Sequence, residues 1–480
     1  MDNKVFFKNF IWRFLERCGA QSITFIVSIV LARILEPEVF GLIALVTVFT
    51  TVMQVFIDSG LGNALIQKKH ADDLDFSTVF YFNMVVCIFL YLIMFFFAPL
   101  IAHFYGMQDL VPIIRVLSLI LIVSGVKNVQ QAYVSRQLIF KKFFIATLGG
   151  TVCAAIVGLW MAYTGWGVWA LVGQMLTNQI VGTIVLWGMV DWRPHLVFSI
   201  ERLKKLLTYG WKLLVSSLID TLYREIRQLI VGKLYAATEL AFYNKGEEFP
   251  KLLALNIGTS IDSVLFPTMS AVQDDIQRIR SMTRRAIKTS TYIMMPMMMG
   301  LAVCAKPLVM LILTDKWLFC IPFLRIFCFT YAFYPVHTAN LNAIKAMGRS
   351  DLFLKLEIVK KIIGIVALLV TMWISVMAMA YSLLVVSVLS QIINSWPNRK
   401  LLEYKYRDQL RDMCPQICLS VIMGAIVYLI TFLQINSVTM LLIQIITGIG
   451  IYILGSKIFK IDSFEYLLSV ICGLLKRNVK

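Results

Sequence analysis

The stretch "SSLIDTLYREIRQLIVGKL" at residues 216–234 places charged side chains in an otherwise apolar segment. Its charged residues are Asp220, Arg224, Glu225, Arg227 and Lys233. At 100° per residue on a helix, Ser216, Ser217, Asp220, Arg224 and Arg227 fall within about 50° of one line. Guanidinium groups bind phosphate through paired hydrogen bonds, so this stripe favours an anionic ligand, although acids are mixed with the bases.

Three other apolar segments carry comparable polar residues. The first segment has Arg13, Arg17, Gln21, Thr24 and Ser28; the second has Gln54 and Asp58; and the eighth has Asn244, Lys245, Glu247, Glu248, Lys251, Thr259 and Asp262. A charged side chain at the centre of a membrane costs roughly 2.5–3.5 kcal/mol, and such residues normally face a bundle interior or water. We therefore expect the four segments to face a shared polar cavity.

Several of these charges also have a structural interpretation. Arg13, Arg17 and Lys233 lie near segment ends and could extend their head groups to the membrane surface. Asp220 with Arg224, and Arg227 with Glu247 or Glu248, could form structural ion pairs, and Asp58 could cap its helix. Arg115, Lys127 and Arg325 could serve packing or topology. The best candidates for function are Arg224, Arg227 and Lys245.

Enzyme and metal motifs are weak in this sequence. The four histidines, His70, His103, His195 and His337, have no ligand spacing, and no phosphate-binding loop of the Walker A type is present. The "DDLD" at 72–75 is typical of a solvated acidic loop. The nine cysteines lie mostly in apolar stretches and include no CxxC pair, which favours buried free thiols over disulfides or a metal site. We expect no enzyme activity, no cofactor and no metal.

The composition identifies an integral membrane protein. Of 480 residues, 59% are hydrophobic and only 15% are charged, and the mean hydropathy is +0.79. A crossing takes about 20 apolar residues, so the chain can hold about fourteen all-α transmembrane helices. They are predicted at 9–34, 38–60, 77–104, 108–132, 143–164, 167–190, 208–233, 237–268, 284–313, 318–346, 351–376, 378–398, 412–434 and 437–458.

The loop charges predict the orientation. The net charge of +18 is concentrated in alternate loops, including residues 278–285 and 399–411, whereas the other loops are short and carry few positive charges. The positive-inside rule then places both termini in the cytoplasm, and it explains the basic balance without nucleic acid. Residues 191–207 and the tail at 461–480 are expected to lie along the cytoplasmic surface.

A weak internal repeat predicts the domain organisation. "NFIWRFL…LARILEPEVFGLIAL" matches "TYGWKLL…VGKLYAATELAFYNK", and the second copy begins six predicted helices after the first. The match implies two six-helix bundles related by a pseudo-two-fold axis along the membrane normal. We predict an N-terminal bundle at 1–190, an amphipathic linker at 191–207, a C-terminal bundle at 208–400, two additional helices at 401–460 and a tail at 461–480.

A series of motifs along the chain resembles the polysaccharide transporter family, the Wzx-type flippases of the MOP superfamily, and most of all its colanic-acid-exporter branch. The motifs are "LARILEPEVFGLIAL" (31–45), "FIDSGLGNALIQKK" (56–69), "YVSRQLIFKKFF" (133–144), "GWGVWALVGQ" (165–174), "FYNKGEEFPKL" (242–252), "LFPTMSAVQDD" (265–275) and "LNAIKAMGRSDLFLKLEIV" (341–359). Together they cover nearly the whole chain in order.

The resemblance implies alternating access around a central cavity and, as cargo, an undecaprenyl-diphosphate oligosaccharide moved across the bacterial inner membrane. It implies that Arg224, Arg227 and Lys245 neutralise the diphosphate, with Arg13, Arg17 and Arg325 as auxiliaries. Asp220, Glu225, Glu247, Glu248 and Asp58 become candidates for binding a coupling proton or sodium ion. Membrane lipids are expected partners, and a polysaccharide polymerase and export machinery are further candidates.

Two other functions stay open from the sequence. A cation-coupled multidrug antiporter of the same superfamily would share the fold. A membrane-embedded polysaccharide polymerase would usually need a large extracytoplasmic loop with catalytic residues, and the longest loops here hold only about fifteen residues.

Overall fold

The protein is helical throughout the described residues. A computed structural model describes residues 3–58, 61–68, 71–137, 139–433 and 435–477, with no strand among them. The side chains of residues 3–11, 13–18, 63, 67, 209, 470, 471 and 473–477 lie outside this description. Packing divides the chain into two compact units, unit 1 at Met1–Ala241 and unit 2 at Phe242–Lys480.

Unit 1 is built from nine helices and the first turn of a tenth. They are α1 (Asn3–Ile34), α2 (Pro37–Asp58), α3 (Leu61–Gln67), α4 (Asp73–Tyr105), α5 (Leu110–Leu117), α6 (Leu119–Gln137), α7 (Phe140–Tyr163), α8 (Val168–Met189), α9 (Ile200–Leu234) and the start of α10 (Ala237–Ser270). Helices α7 and α8 pack closely because Gly150 of α7 lies against the carbonyl of Asn178 on α8, where a Cβ would lie 2.7 Å from that oxygen.

Unit 2 contains the remainder of α10 and the helices that follow it. They are α11 (Ile276–Val303), α12 (Ala305–Ile312), a 3₁₀ turn (Asp315–Cys320), α13 (Ile321–Ala332), α14 (Tyr334–Ala346), α15 (Ser350–Thr371), α16 (Val376–Ser395), α17 (Asn398–Leu401), α18 (Tyr406–Leu429), a 3₁₀ turn (Ile430–Phe432), α19 (Ser437–Ile458) and α20 (Asp462–Arg477). Its two largest contacts join α11 to α18 and α15 to α16, and α11 also packs against α13 and α14.

Helices occur at each of the fourteen predicted positions, but fewer pass a test for spanning a membrane. Among the described residues, ten helical segments are long and apolar enough, or eleven if α11 and α12, bent by 68°, form one span. Helices α9 and α15 carry several charged residues, and in α1 only Gly19–Ile34 counts as a shorter apolar helix. The all-α membrane fold is therefore confirmed, while fourteen crossings and their two-fold arrangement stay predictions.

The predicted surface segment at 191–207 is divided by the start of a helix. Helix α9 begins at Ile200, and the Ser199 hydroxyl accepts a hydrogen bond from the backbone N–H of Arg202. Only the first half of the predicted segment, residues 191–199, is therefore irregular. That half is fixed to unit 1, because Gln130 donates to the carbonyl of Trp192 at 2.9 Å. The predicted bundle boundaries stay a prediction, since compactness alone does not define the repeats.

Both copies of the predicted repeat share one local feature. Helices α1 and α2 are separated by the two residues 35–36, and helices α9 and α10 by the two residues 235–236. The resemblance noted between these sequences therefore extends to an identical spacing of their helix ends.

Two of the prolines inside helices, Pro99 and Pro296, are compensated by side chains from neighbouring helices. A proline lacks an N–H, so the carbonyl four residues earlier loses its partner. Pro99 frees the carbonyl of Phe95, which accepts a hydrogen bond from Nε of Arg115 at 3.3 Å. Pro296 frees the carbonyl of Tyr292, which accepts from the Tyr452 hydroxyl at 2.8 Å. Arg115 therefore has the packing role left open by the sequence.

Helix α9 is attached to α4 near both of its ends. Near its start, Nη1 of Arg202 lies 3.4 Å from a carboxylate oxygen of Asp75, which is fully buried and also paired with Lys68 at 2.5 Å. Near its end, Lys233 donates to the carbonyl of Phe104, and the Tyr105 hydroxyl donates to the carbonyl of Leu229 at 3.4 Å. The two helices therefore run parallel and in register.

Candidate functional site

A polar cavity of about 600 Å³ lies among the helices of unit 1. Four helices, α2, α6, α8 and α9, supply its polar lining: Thr47, Thr50, Thr51, Gln54 and Asp58; Ser124, Lys127 and Gln131; Gln179; and Ser217, Thr221 and Arg224. The volume falls within the range of about 300–1,000 Å³ that is usual for small-molecule sites. The polar faces of the second and seventh predicted segments, which are helices α2 and α9, therefore line one cavity, as predicted.

One face of α2 forms a wall of the cavity. Thr47, Thr51, Gln54 and Asp58 recur at helical spacing, so their side chains project from the same side. The Thr47 hydroxyl donates to the carbonyl of Ile43 at 2.6 Å, which satisfies its proton and leaves oxygen lone pairs toward the cavity. Gln54 and Asp58 are among the predicted polar residues, whereas the threonines are not, although their helical spacing is a signal in the sequence.

Asp58 is the acceptor at the end of a chain of amides. Its Oδ1 accepts from Nδ2 of Asn128 at 3.0 Å, and both of its oxygens accept from Gln54, at 3.1 and 3.2 Å. Asn128 in turn accepts from Asn83 of α4 at 3.4 Å. Asp58 is the last residue of α2 and lies at the negative end of the helix dipole, which does not stabilise a carboxylate. The hydrogen bonds from these amides, rather than a helix cap, therefore account for the position of Asp58.

Two cations reach this cavity. Nη2 of Arg224 lies 3.1 Å from the Asp220 carboxylate, and the Arg224 side chain is 66% exposed. An exposed pair of this kind contributes only about 0–1 kcal/mol, which leaves most guanidinium donors available to a ligand. The ammonium group of Lys127 lies beside α8, where a Cβ on Gly182 would be 3.3 Å away. The predicted Asp220–Arg224 ion pair is therefore present, and Lys127 lies in the cavity wall.

The next turn of α9 holds Arg227 and Glu225. Among the described residues, Arg227 has a buried Nε without a hydrogen-bond partner. An unsatisfied buried donor costs about 1–3 kcal/mol, which makes Arg227 a candidate for an anionic ligand. Glu225 accepts a hydrogen bond from Gln228 at 2.9 Å.

The predicted charges of α10 form ion pairs inside unit 2. The buried ammonium of Lys245 lies 2.8 Å from Glu248 and 5.8 Å from the centre of the Trp317 ring. Glu247 accepts from the Tyr331 hydroxyl at 2.5 Å and pairs with Lys251 at 3.3 Å. This arrangement has the form of structural ion pairs, and the ligand roles predicted for Lys245, Glu247 and Glu248 stay predictions.

The remaining predicted cations lie elsewhere. Nε of Arg325 donates to the carbonyl of Ala302 at 3.2 Å, close to the end of α11, where helix carbonyls lack internal partners. The side chains of Arg13 and Arg17 lie outside the described residues. Within the part of the chain that is described, no group of three or more His, Cys, Asp or Glu residues could hold a metal ion.

The long apolar helices define a multi-pass membrane protein, whose fold is shared with solved transporters. The lipid II flippase MurJ, in an inward closed conformation, matches with a TM-score of 0.75 at 15% identity, over 95% of this chain and 99% of that one. An inward-facing multidrug resistance MATE family transporter of the MOP superfamily matches with a TM-score of 0.65 at 14% identity, over 80% of this chain and 94% of that one.

The chain belongs to the polysaccharide biosynthesis protein family, whose profile matches residues 30–322, more than half of its length. It is 27% identical to the lipopolysaccharide biosynthesis protein WzxC of Escherichia coli (strain K12), over 76% of this chain and 74% of that protein. It is 22% identical to the succinoglycan biosynthesis transport protein ExoT of Rhizobium meliloti (strain 1021), over 71% of this chain and 69% of that protein.

A third relative is the teichuronic acid biosynthesis protein TuaB of Bacillus subtilis (strain 168), 22% identical over 79% of each chain. The resemblance to polysaccharide transporters of the MOP superfamily is thereby confirmed. The family and its structural neighbours are transporters and flippases rather than enzymes, which agrees with the absence of enzyme motifs from the sequence.

Proposed function

We propose that this protein flips an undecaprenyl-diphosphate oligosaccharide from the cytoplasmic to the periplasmic leaflet of the bacterial inner membrane, for surface polysaccharide biosynthesis. The observation that carries this proposal is the cavity of unit 1, in which Arg224 and Lys127 share walls with hydroxyl and amide side chains. Membership of a polysaccharide biosynthesis family and the fold shared with a protein described as a lipid II flippase support it.

Each part of the substrate has a matching chemical environment in the proposal. Arg224 and Arg227 neutralise the diphosphate, because guanidinium groups offer paired donors to phosphate oxygens. The Thr47 hydroxyl, whose proton is donated to Ile43, accepts from sugar hydroxyls, whereas the hydroxyls of Thr51 and Thr221 both donate to and accept from them. The prenyl tail stays in the surrounding lipid, which spares the protein the burial of a long apolar chain. Lys127 is added to the diphosphate candidates, while Lys245, Arg13, Arg17 and Arg325 are kept as secondary candidates.

Transport in the proposal proceeds by alternating access and is coupled to a proton or sodium gradient. Asp58 is the leading coupling residue, because its carboxylate borders the cavity and accepts hydrogen bonds from the neutral amides of Gln54 and Asn128. Asp220, Glu225, Glu247 and Glu248 are the other candidates, and each already contacts a cation or an amide. Both termini are cytoplasmic in this proposal, and the polymerase and export machinery act after the flipping step.

The decisive experiment removes the two arginines of α9. In cells whose own copy of the gene is deleted, the double variant Arg224→Gln/Arg227→Gln should abolish surface polysaccharide and cause lipid-linked saccharide to accumulate on the cytoplasmic side. Each hydrogen bond to a charged group contributes about 1.5–3 kcal/mol, so each substitution should weaken substrate binding roughly tenfold or more. Polymer and lipid-linked saccharide are quantified together with the amount of protein in the membrane.

Lys212→Gln provides the matched control, because Lys212 is an exposed cation on the same helix and does not line the cavity. It should leave export unchanged. Wild-type export by the arginine double variant, at equal protein levels, would contradict the diphosphate role.

A cation-coupled multidrug antiporter is the second candidate, because a multidrug resistance transporter shares the fold. The basic residues at the cavity of unit 1 disfavour cationic drugs. Deletion of the gene should leave resistance to cationic drugs unchanged; a marked gain in sensitivity, with normal surface polymer, would favour the antiporter.

A further inference from the structure

A second charged pocket, of about 540 Å³, lies within unit 2, and it shares no residue with the cavity of unit 1. It is formed by the start of α11, the start of α18, the turn before α18, and the segment between α19 and α20. Two of these regions are the basic loops around residues 278–285 and 399–411, and the third contains Lys457 and Lys460. The fold therefore brings together three regions that the loop charges place on one side of the membrane.

Part of the charge in this pocket is neutralised internally. Asp412, 5% exposed, accepts from Nε and Nη2 of Arg284 at 2.6 and 2.7 Å and from the buried Tyr404 hydroxyl at 2.8 Å. Lys288 lies 2.7 Å from Asp462 and 3.7 Å from Asp412. Two cations and two acids thus form a network that fixes the walls of the pocket.

The remaining charge is mainly positive. Arg280, Arg411 and Lys460 line the pocket as well, whereas Asp408 is the only other acid in its lining. Within the described part of the chain, the ion-pair partner of Arg280 is the exposed Glu403, at 3.6 Å. Among the described residues, Arg411 and Lys460 take part in no ion pair. The pocket therefore has an excess of two positive charges, and two exposed cations are available to a ligand.

The backbone at this pocket is unusual. Three described non-glycine residues have positive φ, and two of them lie here, Glu403 at 51° before α18 and Lys460 at 49° after α19. Non-glycine residues seldom adopt this conformation, and strained residues are concentrated at functional sites. The left-handed conformation at Lys460 ends α19 and turns the chain into α20 beside the pocket.

We propose that this pocket binds the phosphate group of an anionic lipid at the cytoplasmic surface. Arg411 and Lys460 bind the phosphate oxygens. The network of Asp412 with Arg284 and Lys288 fixes the walls of the pocket around them. Basic pockets between transmembrane helices are suited to phosphate head groups in the anionic leaflet. The lipid is either a membrane phospholipid or the diphosphate-bearing cargo, since both present the same group.

The test measures binding to the full chain in a neutral detergent. Short-chain phosphatidylglycerol should bind, phosphatidylcholine should bind far more weakly, and Arg411→Gln/Lys460→Gln should weaken phosphatidylglycerol binding about tenfold or more, because charge-assisted hydrogen bonds are lost. Asp408→Asn removes a negative charge from the lining and should strengthen binding. Equal affinity of the wild type and the double variant, or equal affinity for the two lipids, would overturn the proposal.

Lys355→Gln/Lys212→Gln is the control, with the same loss of charge at exposed lysines outside the pocket. Competition by farnesyl diphosphate against bound phosphatidylglycerol separates the two sources of phosphate. If farnesyl diphosphate displaces the bound lipid at a lower concentration than free phosphatidylglycerol does, the site takes the cargo; if it needs a higher concentration, the site takes a membrane phospholipid. Either result supports a phosphate site. Binding is measured without transport, so a failure here is distinct from a failure of the arginine variants on α9.

Discussion

Replacing Tyr452 by phenylalanine should destabilise unit 2 through a single backbone carbonyl. The Tyr452 hydroxyl donates at 2.8 Å to the carbonyl of Tyr292, which Pro296 deprives of its helical partner. Tyr452 is 7% exposed, so water does not readily replace the lost donor. A buried acceptor without a partner costs about 1–3 kcal/mol, and we expect a loss of about 2 kcal/mol in the free energy of unfolding.

A double-mutant cycle tests the reason for this loss. Pro296→Ala restores the N–H that bonds to the carbonyl of Tyr292, so in that background Tyr452→Phe should cost at most about 0.5 kcal/mol. The coupling free energy should therefore exceed about 1 kcal/mol. The measurement is unfolding of the full chain in bicelles by titration with sodium dodecyl sulfate.

Tyr428→Phe is the matched control, because Tyr428 is 45% exposed in the same unit. Its cost should stay within about 0.5 kcal/mol, as for most surface substitutions. If Tyr452→Phe costs the same with and without Pro296, the freed carbonyl is not the cause, and the explanation of the helix prolines is wrong.

Two further predictions concern the charge cluster at the start of α4. Asp75→Asn should destabilise unit 1 by about 2 kcal/mol in the same unfolding assay. Breaking a fully buried ion pair costs roughly 3–5 kcal/mol, and the cost is smaller here because Lys68 and Arg202 still reach water. Asp73→Asn, at an exposed neighbour, should cost almost nothing, and equal costs would contradict the ion-pair explanation. Asp72 accepts a hydrogen bond from the backbone N–H of Asp75 at 3.0 Å, which lowers the pKa of Asp72 below the usual value near 4. The stabilising effect of Asp72 should therefore be complete above about pH 4 and should disappear as the pH falls through the lowered pKa. Asp72→Asn should therefore make stability less dependent on pH below about 4, and an unchanged pH profile would exclude this contribution.

The positions of the helices were predictable because lipid imposes a simple rule. A backbone in the membrane must satisfy its own hydrogen bonds, so long apolar stretches become helices. Their ends were less predictable, as α9 shows: residues 200–207 are amphipathic, and the sequence alone does not distinguish a surface segment from the first turns of a longer helix. The break within the ninth predicted segment, where α11 and α12 bend by 68°, was likewise not visible in hydropathy.

The charges were predictable as a group but not one by one. The stripe on α9 and the polar end of α2 line a common cavity, as helical spacing indicated. The surroundings of Lys245 depend on Trp317, which is 72 residues away in sequence, and helical periodicity contains no information about such a contact. Lys127 is predicted from the sequence to serve packing or topology, whereas in the fold its neighbours on α2, α8 and α9 make it part of a cavity.

The attachment of α9 at both ends determines the depth of Arg224 within unit 1. At 1.5 Å per residue, Arg202 lies about 33 Å along the helix from Arg224, and Lys233 about 14 Å in the other direction. A rod held at two such distant points cannot slide or turn about its axis unless both attachments yield. The height at which this guanidinium meets a ligand is thus inherited from α4, a helix that contributes no residue to the cavity lining.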